Sequence, residues 1–377
     1  MTVPGHVERY KNQHSGLIKF QPDGQIVGPQ SYYYSAKTER SARISRGVLA
    51  AVRDLASRQK IDLIVAHSLW GAPLFLYDEV DIPVVNYMEF PSYRLHGWDP
   101  QYPPTLGQRL TDKNMEMLHF YQALRGVLNI VPTEYAKSLF PPELQSRIEV
   151  QFEGFELSPP TFDTPSSRQG RPFTVAFSAR DLSSAKGYDT YMKVAHAIAE
   201  RNLDIRCVAL GSDQVNTYGY ENLFLKEKYP LETVGFHEHL TRVFPKANVQ
   251  LLGKLPYPEF SSALADVDVF LYPLKYGVGN WGLIEILGRG KAVVASHTCF
   301  IPEVIEHGQS GLLIKDPNDV GAWIDAILNI RDDWTLRDNI QRGAAAAFQK
   351  FSMPTVASNY MAIFRKAIEL YAQNKGK

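Results

Sequence analysis

The sequence has few cysteines, no excess of charge of either sign and no long apolar run. Its 377 residues include two cysteines, and 40 basic residues balance 40 acidic ones. A neutral chain offers no general electrostatic reason to bind nucleic acid or an anionic membrane. No stretch of about 18 apolar residues could form a transmembrane helix, so membrane contact is expected to be peripheral at most. The first residues, Met1–His6, lack the apolar core of a signal peptide.

The two cysteines, Cys207 and Cys299, are predicted to be small buried hydrophobic residues, and not a disulfide pair or metal ligands. A reducing, cytoplasmic setting suits them, either free in the cytoplasm or at the inner face of the membrane. The sequence shows no internal repeat and no low-complexity segment. Hydrophobic residues make up 45% of the 377 positions, which is enough for two domains with sizeable cores.

Strands alternate with helices along the first half, and this alternation predicts an α/β fold with a parallel sheet. Apolar periodicity predicts helices over 41–58 and 106–124. Short strands are also predicted within 16–34. Four further strand-like runs follow in order: Asp62–Ala66, Val84–Tyr87, Gly126–Val131 and Ile148–Phe152.

Three polar residues, His67, Glu89 and Thr133, follow the ends of these strands. Ligands of parallel sheets bind at the carboxyl ends of strands, so the three side chains could converge on one crevice. The alternatives are that His67 caps the next turn and that Glu89 is a solvated loop carboxylate. The aromatic neighbours of Glu89 favour a partnered carboxylate, because a charge among rings needs a partner.

A stretch rich in Pro, Ser and Thr, 156–172, is the predicted linker. We therefore predict an N-terminal domain over 1–155 and a C-terminal domain over 173–352. The remaining segment, 353–377, is expected to form an amphipathic helix that packs back on the N-terminal domain.

In the second half, a polar turn with two cations follows the strand Phe173–Phe177 and precedes the helix Tyr188–Glu200. Arg180 and Lys186 in that turn could bind a diphosphate, Arg through its planar fork and Lys as a point charge. The alternative is that both are solvated loop cations.

The stretch 277–303 combines a glycine-rich turn, an apolar helix with one carboxylate, Glu285, and a β-branched strand. Backbone N–H groups at the start of such a helix form a site for phosphate. Glu285, one turn further along, could reach a sugar hydroxyl. The alternative is an ordinary loop, helix and strand of an α/β domain.

The second half resembles the nucleotide-sugar domain of a GT-B glycosyltransferase of glycosyltransferase family 4. The resemblance rests on an ordered set of short motifs with the family's spacing. They are Ser178-Ala179-Arg180, Ala185-Lys186-Gly187, Leu252–Pro256, Asp266–Phe270, Gly282–Leu287, Lys291–Ser296, Ile301–Ile305 and Gly308–Leu313.

The first half resembles a branch of the same family found among exopolysaccharide enzymes. Its carriers are Ala66–Gly71, Tyr87–Phe90, Trp98–Pro103, Pro132–Tyr135 and Phe140-Pro141. Together the two resemblances imply a GT-B architecture, with two Rossmann-like domains facing a cleft.

The resemblance implies a retaining glycosyltransferase of hexosyltransferase type, which moves a sugar from a nucleotide diphosphate sugar to a hydroxyl of a saccharide or lipid-linked acceptor. Arg180 and Lys186 would bind the diphosphate, and Glu285 would accept hydrogen bonds from the ribose hydroxyls. Gly279, Asn280, Trp281 and Gly282 form the turn whose N–H groups would meet the distal phosphate. His67 and Glu89 would face the transferred sugar or the acceptor. No cofactor and no divalent metal is implied, because the positive groups take the metal's place.

Two departures from the family pattern matter. Many members carry a Glu eight positions before the equivalent of Glu285, where it binds the donor sugar, but this sequence has Gly277. The exopolysaccharide-type branch also tends to lack that Glu. Members also begin with a strand, a Gly-rich loop and a helix that have no counterpart here, so the N-terminal domain is predicted to be incomplete. The true start could lie upstream of Met1, residues 16–34 could rebuild part of the sheet, or the first domain could be compromised.

The main alternative is a non-catalytic nucleotide-sugar-binding or assembly protein with a degenerate N-terminal domain. A GT-B epimerase or phosphorylase would need signatures of its own, such as a cofactor-anchoring lysine, which we do not find. A glycosidase is disfavoured because no pair of strand-end carboxylates stands out in one domain.

Overall fold

The computed structural model describes residues 16, 18, 20–22, 34–68, 73–89, 91, 93–162, 164–213 and 219–375. The chain divides into two compact units. The first comprises Met1–His96, Pro104–Phe152 and Ala357–Lys377, and the second comprises Gly97–Pro103 and Glu153–Val356. Both units contain a parallel sheet with helices, which confirms the predicted α/β class. The strands predicted within 16–34 lie almost entirely outside the described residues.

The described part of the first unit has a four-stranded parallel sheet in the order β1-β2-β3-β4. Its strands are β1 (Ile64–His67), β2 (Val84–Tyr87), β3 (Leu128–Val131) and β4 (Ile148–Val150). Its helices are α1 (Ala36–Arg58), α2 (Leu76–Glu79), α3 (Tyr93–His96), α4 (Leu106–Arg125), α5 (Glu134–Ser138) and α6 (Pro142–Gln145).

The described part of the second unit has a six-stranded parallel sheet in the order β10-β9-β8-β5-β6-β7. Its strands are β5 (Thr174–Asp181), β6 (Arg206–Ser212), β7 (Val249–Gly253), β8 (Val269–Tyr272), β9 (Ala292–Ser296) and β10 (Leu312–Ile314). Its helices are α7 (Pro165–Arg168), α8 (Tyr188–Glu200), α9 (Glu221–Lys228), α10 (Phe236–Val243), α11 (Tyr257–Ala265), α12 (Trp281–Gly288), α13 (Ile301–Val304), α14 (Val320–Asp332) and α15 (Trp334–Phe348). A 3-10 turn (Gln349–Phe351) leads to the last helix, α16 (Met353–Lys375).

The two faces of the first sheet are covered by different helices. Val84 packs in a cluster with Val48 and Val52 of α1, whereas its neighbour Val85 packs in a second cluster with Ala367 of α16. Successive side chains of a strand point to opposite faces, so this alternation follows directly from the two adjacent valines of β2.

The sheet of the second unit reverses its direction of growth between β5 and β8. From β5 the chain adds β6 and β7 on one side, then returns to place β8, β9 and β10 on the other. Open α/β sheets bind ligands at the carboxyl ends of the strands that flank such a reversal. The loops after β5 and β8 are therefore the expected functional loops of this unit.

Two local predictions need correction. Arg180 lies on β5 and not in a polar turn, because β5 continues to Asp181, which pairs with Ser212 after a register shift. Cys207 is buried as expected, but Cys299 is only partly buried.

No helix within the described ranges combines the length and the apolar content needed to cross a membrane.

Candidate functional site

The backbone of the loop between β5 and α8 is held by hydrogen bonds to two other parts of the unit. The amide of Ser184 donates to Oε1 of buried Glu221 at 2.6 Å. The amides of Lys275 and Tyr276, which follow β8, donate to the carbonyl oxygen of Ala185 at 3.0 and 3.1 Å. The loops after β5 and β8 therefore lie side by side at the carboxyl edge of the sheet.

Gly187 closes this loop in a conformation that suits only glycine. Its φ is +80°, and a Cβ atom there would lie 1.8 Å from the carbonyl oxygen of Pro273. A side chain would have to displace backbone, so the loop would move away from β8.

The substitution Gly187→Ala is expected to lower the free energy of unfolding by about 2 kcal/mol or more, because left-handed strain adds to a backbone clash. Chemical denaturation measures the loss. Gly170→Ala is the matched control, since Gly170 also has a positive φ (+77°) but has open space where its Cβ would be. Equal losses in the two variants would contradict the importance of the Pro273 contact.

The two predicted cations at this edge differ in setting. Lys186 lies within the loop and is partly exposed. The Arg180 side chain is 53% exposed, and its Nε lies 3.3 Å from Oδ2 of buried Asp181. Both therefore lie at the carboxyl end of β5 and are accessible to an anionic ligand.

The glycine-rich turn leads into the amino end of α12, as predicted. The side-chain oxygen of Asn280 accepts a hydrogen bond from the amide of Leu283 at 3.3 Å, so Asn280 is the N-cap. Trp281 is 62% exposed, while Gly279 and Gly282 are partly buried. The remaining amides of the first turn have no partner within the helix, which suits an anion.

Glu285 lies on α12 with its carboxylate already engaged. Its Oε1 accepts hydrogen bonds from Tyr257 Oη at 2.9 Å and from Arg289 Nε and Nη2 at 3.1 and 2.7 Å. The side chain of Glu285 is 15% exposed, so a small part of it is accessible to a ligand.

Sequence reasoning missed Arg289 and Tyr257. Arg289 follows Glu285 by four residues, and side chains four apart share one helix face, so this partner could have been found. Tyr257 belongs to α11, and no local pattern indicates its contact with Glu285.

In the first unit, the structure brings His67 and Glu89 together. His67 ends β1, Glu89 follows β2, and His67 Nε2 lies 3.6 Å from Glu89 Oε1. Their side chains are 28% and 38% exposed. Thr133 instead caps α5 by accepting a hydrogen bond from the amide of Ala136 at 3.1 Å.

His119 of α4 is a further titratable group near His67 that the sequence did not indicate. It is buried, and its Nδ1 donates to the carbonyl oxygen of Pro91 at 2.6 Å. Burial lowers the pKa of His119, and the nearby His67 lowers it further. The hydrogen bond to Pro91 raises it. His119 is therefore held in its neutral form beside His67.

A largely buried charge cluster joins the residues that flank the β5–α8 loop. Lys275 Nζ lies 2.6 Å from Asp99 Oδ2 and 2.6 Å from Asp189 Oδ2. Asp99 belongs to the segment Gly97–Pro103, which comes from the first half of the sequence but is part of the second unit. Tyr102 of the same segment packs edge-on against the rings of Phe224 and Phe236.

Among the described residues, no group of three His, Cys, Asp or Glu side chains could hold a metal ion. Asp268 of the Asp-x-Asp stretch is buried, and its oxygens bind the guanidinium of Arg337 and the amide of Thr174.

The chain forms two parallel α/β units. In the second unit, a basic loop and the glycine-rich amino end of a helix come together where the strand order reverses. This is the architecture of GT-B glycosyltransferases. A model of "Glycosyl transferases group 1" matches residues 162–346, and a model of the "Glycosyl transferase family 4 group" matches residues 5–159. The chain belongs to the GT-B glycosyltransferases of family 4.

Among curated proteins, D-inositol 3-phosphate glycosyltransferase of Paenarthrobacter aurescens is 24% identical to the chain over 241 residues. The match covers 60% of this chain and 55% of that protein, so the chain spans about half the length of this relative.

Two solved structures share the fold. Sucrose-phosphate synthase of Thermosynechococcus elongatus superposes with a TM-score of 0.69 at 16% identity, covering 93% of this chain and 82% of that one. HepE of Anabaena, in complex with UDP-glucose, gives a TM-score of 0.60 at 18% identity, covering 85% and 82%.

Proposed function

We propose that this protein is a retaining hexosyltransferase that uses a nucleotide diphosphate sugar. One observation carries the proposal: the Lys186 loop, the amino end of α12 and Glu285 belong to the neighbouring loops and helices that follow β5 and β8. Basic groups, helix amides and a carboxylate are the three kinds of group that a diphosphate joined to a ribose requires. The complex of HepE with UDP-glucose supports the same ligand class.

In the proposed reaction, the bond between the anomeric carbon and the diphosphate oxygen breaks, and its electron pair leaves with the nucleoside diphosphate. The acceptor hydroxyl oxygen forms the new bond to the anomeric carbon on the same face, and its proton passes to the departing phosphate oxygen. Arg180, Lys186 and the amides of Gly279–Gly282 stabilise the negative charge that develops on that oxygen.

His67 and Glu89 are proposed to act on the transferred sugar or the acceptor. Glu89 Oε1 lies 3.6 Å from Nε2 of His67, close enough for an electrostatic contact, and burial, which lowers the pKa of nearby His119, disfavours a further positive charge there. A role in polysaccharide or glycoconjugate synthesis, with a saccharide or lipid-linked acceptor, rests on the resemblance to exopolysaccharide enzymes.

The substitutions Glu285→Ala and Lys186→Ala are each expected to weaken nucleotide diphosphate binding by about 1–3 kcal/mol, the range for hydrogen bonds to charged groups. Isothermal titration calorimetry with UDP, GDP and ADP measures the change and identifies the preferred nucleotide. Glu259→Ala and Lys193→Ala are matched controls, because both side chains are exposed on neighbouring helices.

Unchanged affinity in both site variants would overturn the proposed donor site. A panel of the corresponding nucleotide sugars, followed by NMR of the products, then tests transfer and the anomeric configuration. Binding without transfer or donor hydrolysis would favour a nucleotide-sugar-binding protein without catalysis, and inverted products would overturn the retaining mechanism.

A further inference from the structure

The hydrogen bonds around Glu285 are unevenly divided between its two oxygens. Oε1 accepts from Tyr257 Oη, Arg289 Nε and Arg289 Nη2 at 2.9, 3.1 and 2.7 Å. Within the part of the chain that the structure describes, no donor binds Oε2. A carboxylate oxygen has about two lone-pair sites, so Oε1 has no acceptor capacity left.

The guanidinium of Arg289 is held so that it reaches only Oε1. Its Nη1 donates to Ser261 Oγ at 2.9 Å, and its Nη2 also donates to Tyr257 Oη at 3.2 Å. A bidentate Arg–carboxylate pair would instead occupy both oxygens. Because the fork is turned toward Ser261 and Tyr257, the second oxygen is left available.

The hydroxyl of Tyr257 is fixed as a donor to Glu285. Burial raises the pKa of Tyr257, and the hydrogen bond to Glu285 raises it further. The phenol therefore keeps its proton. It uses that proton on Oε1 and accepts from Arg289.

We propose that Arg289 and Tyr257 are positioning residues that saturate Oε1 of Glu285 and so reserve Oε2 as the acceptor for a ribose hydroxyl. This inference rests on the nucleotide-binding role of Glu285 in the proposed function. Recognition of ribose then depends on one prepared oxygen, whose orientation is set by two residues that do not contact the nucleotide.

A positioning role differs from a structural role in its dependence on the ligand. If Arg289 acts through the hydroxyl that Oε2 binds, its removal weakens a ribonucleotide but hardly affects the analogue without that hydroxyl. If Arg289 only stabilises α12, its removal weakens both ligands by the same factor.

The test measures binding of UDP, 2′-deoxy-UDP and 3′-deoxy-UDP by calorimetry to the wild-type chain and to Glu285→Ala, Arg289→Gln and Tyr257→Phe. If another nucleotide of the panel binds more tightly, its deoxy analogues are used instead. Tyr257→Phe removes one hydroxyl from a residue that is 59% exposed, so this variant is expected to fold even if Arg289→Gln does not. Glu259→Gln on the same helix as Tyr257 is the matched control.

We expect the wild type to prefer UDP to at least one deoxy analogue by about tenfold. Arg289→Gln and Tyr257→Phe are expected to reduce that preference severalfold, chiefly by weakening UDP, and Glu285→Ala is expected to abolish it. If Glu285→Ala loses the preference but Arg289→Gln and Tyr257→Phe keep it, the positioning role of Arg289 and Tyr257 is overturned and the proposed function stands. A full preference in Glu285→Ala, or no binding of any nucleotide in the panel, would overturn the proposed function itself.

Discussion

Replacing Lys275 by Met is expected to lower the free energy of unfolding by about 3–5 kcal/mol, the cost of removing one partner from a buried ion pair. Lys275 is the only cation within 4.0 Å of Asp99 and Asp189 among the described residues. The side chains of Asp99 and Asp189 are only 4% and 15% exposed. Met keeps most of the aliphatic volume, so the variant isolates the lost charge. Urea denaturation measures the effect.

The loss should depend on pH, with a sign that follows from the pKa shifts. Burial raises the pKa of Asp189, although Lys275 partly counteracts this shift. A carboxyl group whose pKa is higher in the folded state stabilises the fold when the pH is below its unfolded-state pKa. This contribution is lost as the pH rises through its folded-state pKa. Without Lys275 the pKa of Asp189 rises further, so the variant should lose most stability near neutral pH and recover part of it in acid.

For Lys275 itself, burial lowers the pKa, but Asp189 and Asp99 outweigh burial and raise it. Its contribution is therefore present throughout the neutral range and disappears only in strong alkali. Lys246→Met is the matched control, because Lys246 pairs with Glu200 on the surface with 63% of its side chain exposed. An equal loss at neutral and acidic pH would show that packing, and not charge, accounts for the effect.

Asp268→Ala is expected to destabilise the second unit by a similar amount, about 3–5 kcal/mol. Arg337 Nη2 lies 2.6 Å from Oδ1 of Asp268, and both side chains are 3% exposed. Arg168 Nε lies 3.4 Å from the same oxygen, and the amide of Thr174 donates to Oδ2 at 2.8 Å. The variant leaves buried positive charge without its carboxylate, and thermal or chemical denaturation measures the loss.

The neighbouring Asp266 provides the control for this prediction. It pairs with Arg171 at the surface, and its side chain is 62% exposed. Asp266→Ala should therefore change stability by no more than about 1 kcal/mol. Similar losses in the two variants would contradict the assignment of Asp268 as the buried centre of this ion network.

Local periodicity predicted many elements well, because the pattern of apolar residues that defines a helix or strand lies within the element itself. The helix Tyr188–Glu200 and the strand Val84–Tyr87 have the predicted bounds. Ends that depend on partners were less accurate. β5 extends past Phe177 because its last residues pair with β6, which no local pattern reveals.

The candidate site was predictable where its residues lie at strand ends. The parallel sheet brings His67 and Glu89 to one edge, because both follow neighbouring strands of that sheet. Thr133, selected by the same argument, proved to be a helix cap. The roles of His67, Glu89, Arg180, Lys186 and Glu285 stay predictions until the variants are measured.

By itself, the sequence determined the α/β class, the order of strands and helices, and the ordered motifs that mark the family. Those features depend on patterns within a few tens of residues. Only the tertiary structure decided that Asp99 pairs with Lys275, 176 positions away. It also decided that Tyr257 and Arg289 occupy one oxygen of Glu285 and leave the other available. Such contacts depend on which strands become neighbours in the sheet, and periodicity along the sequence carries no information about that order.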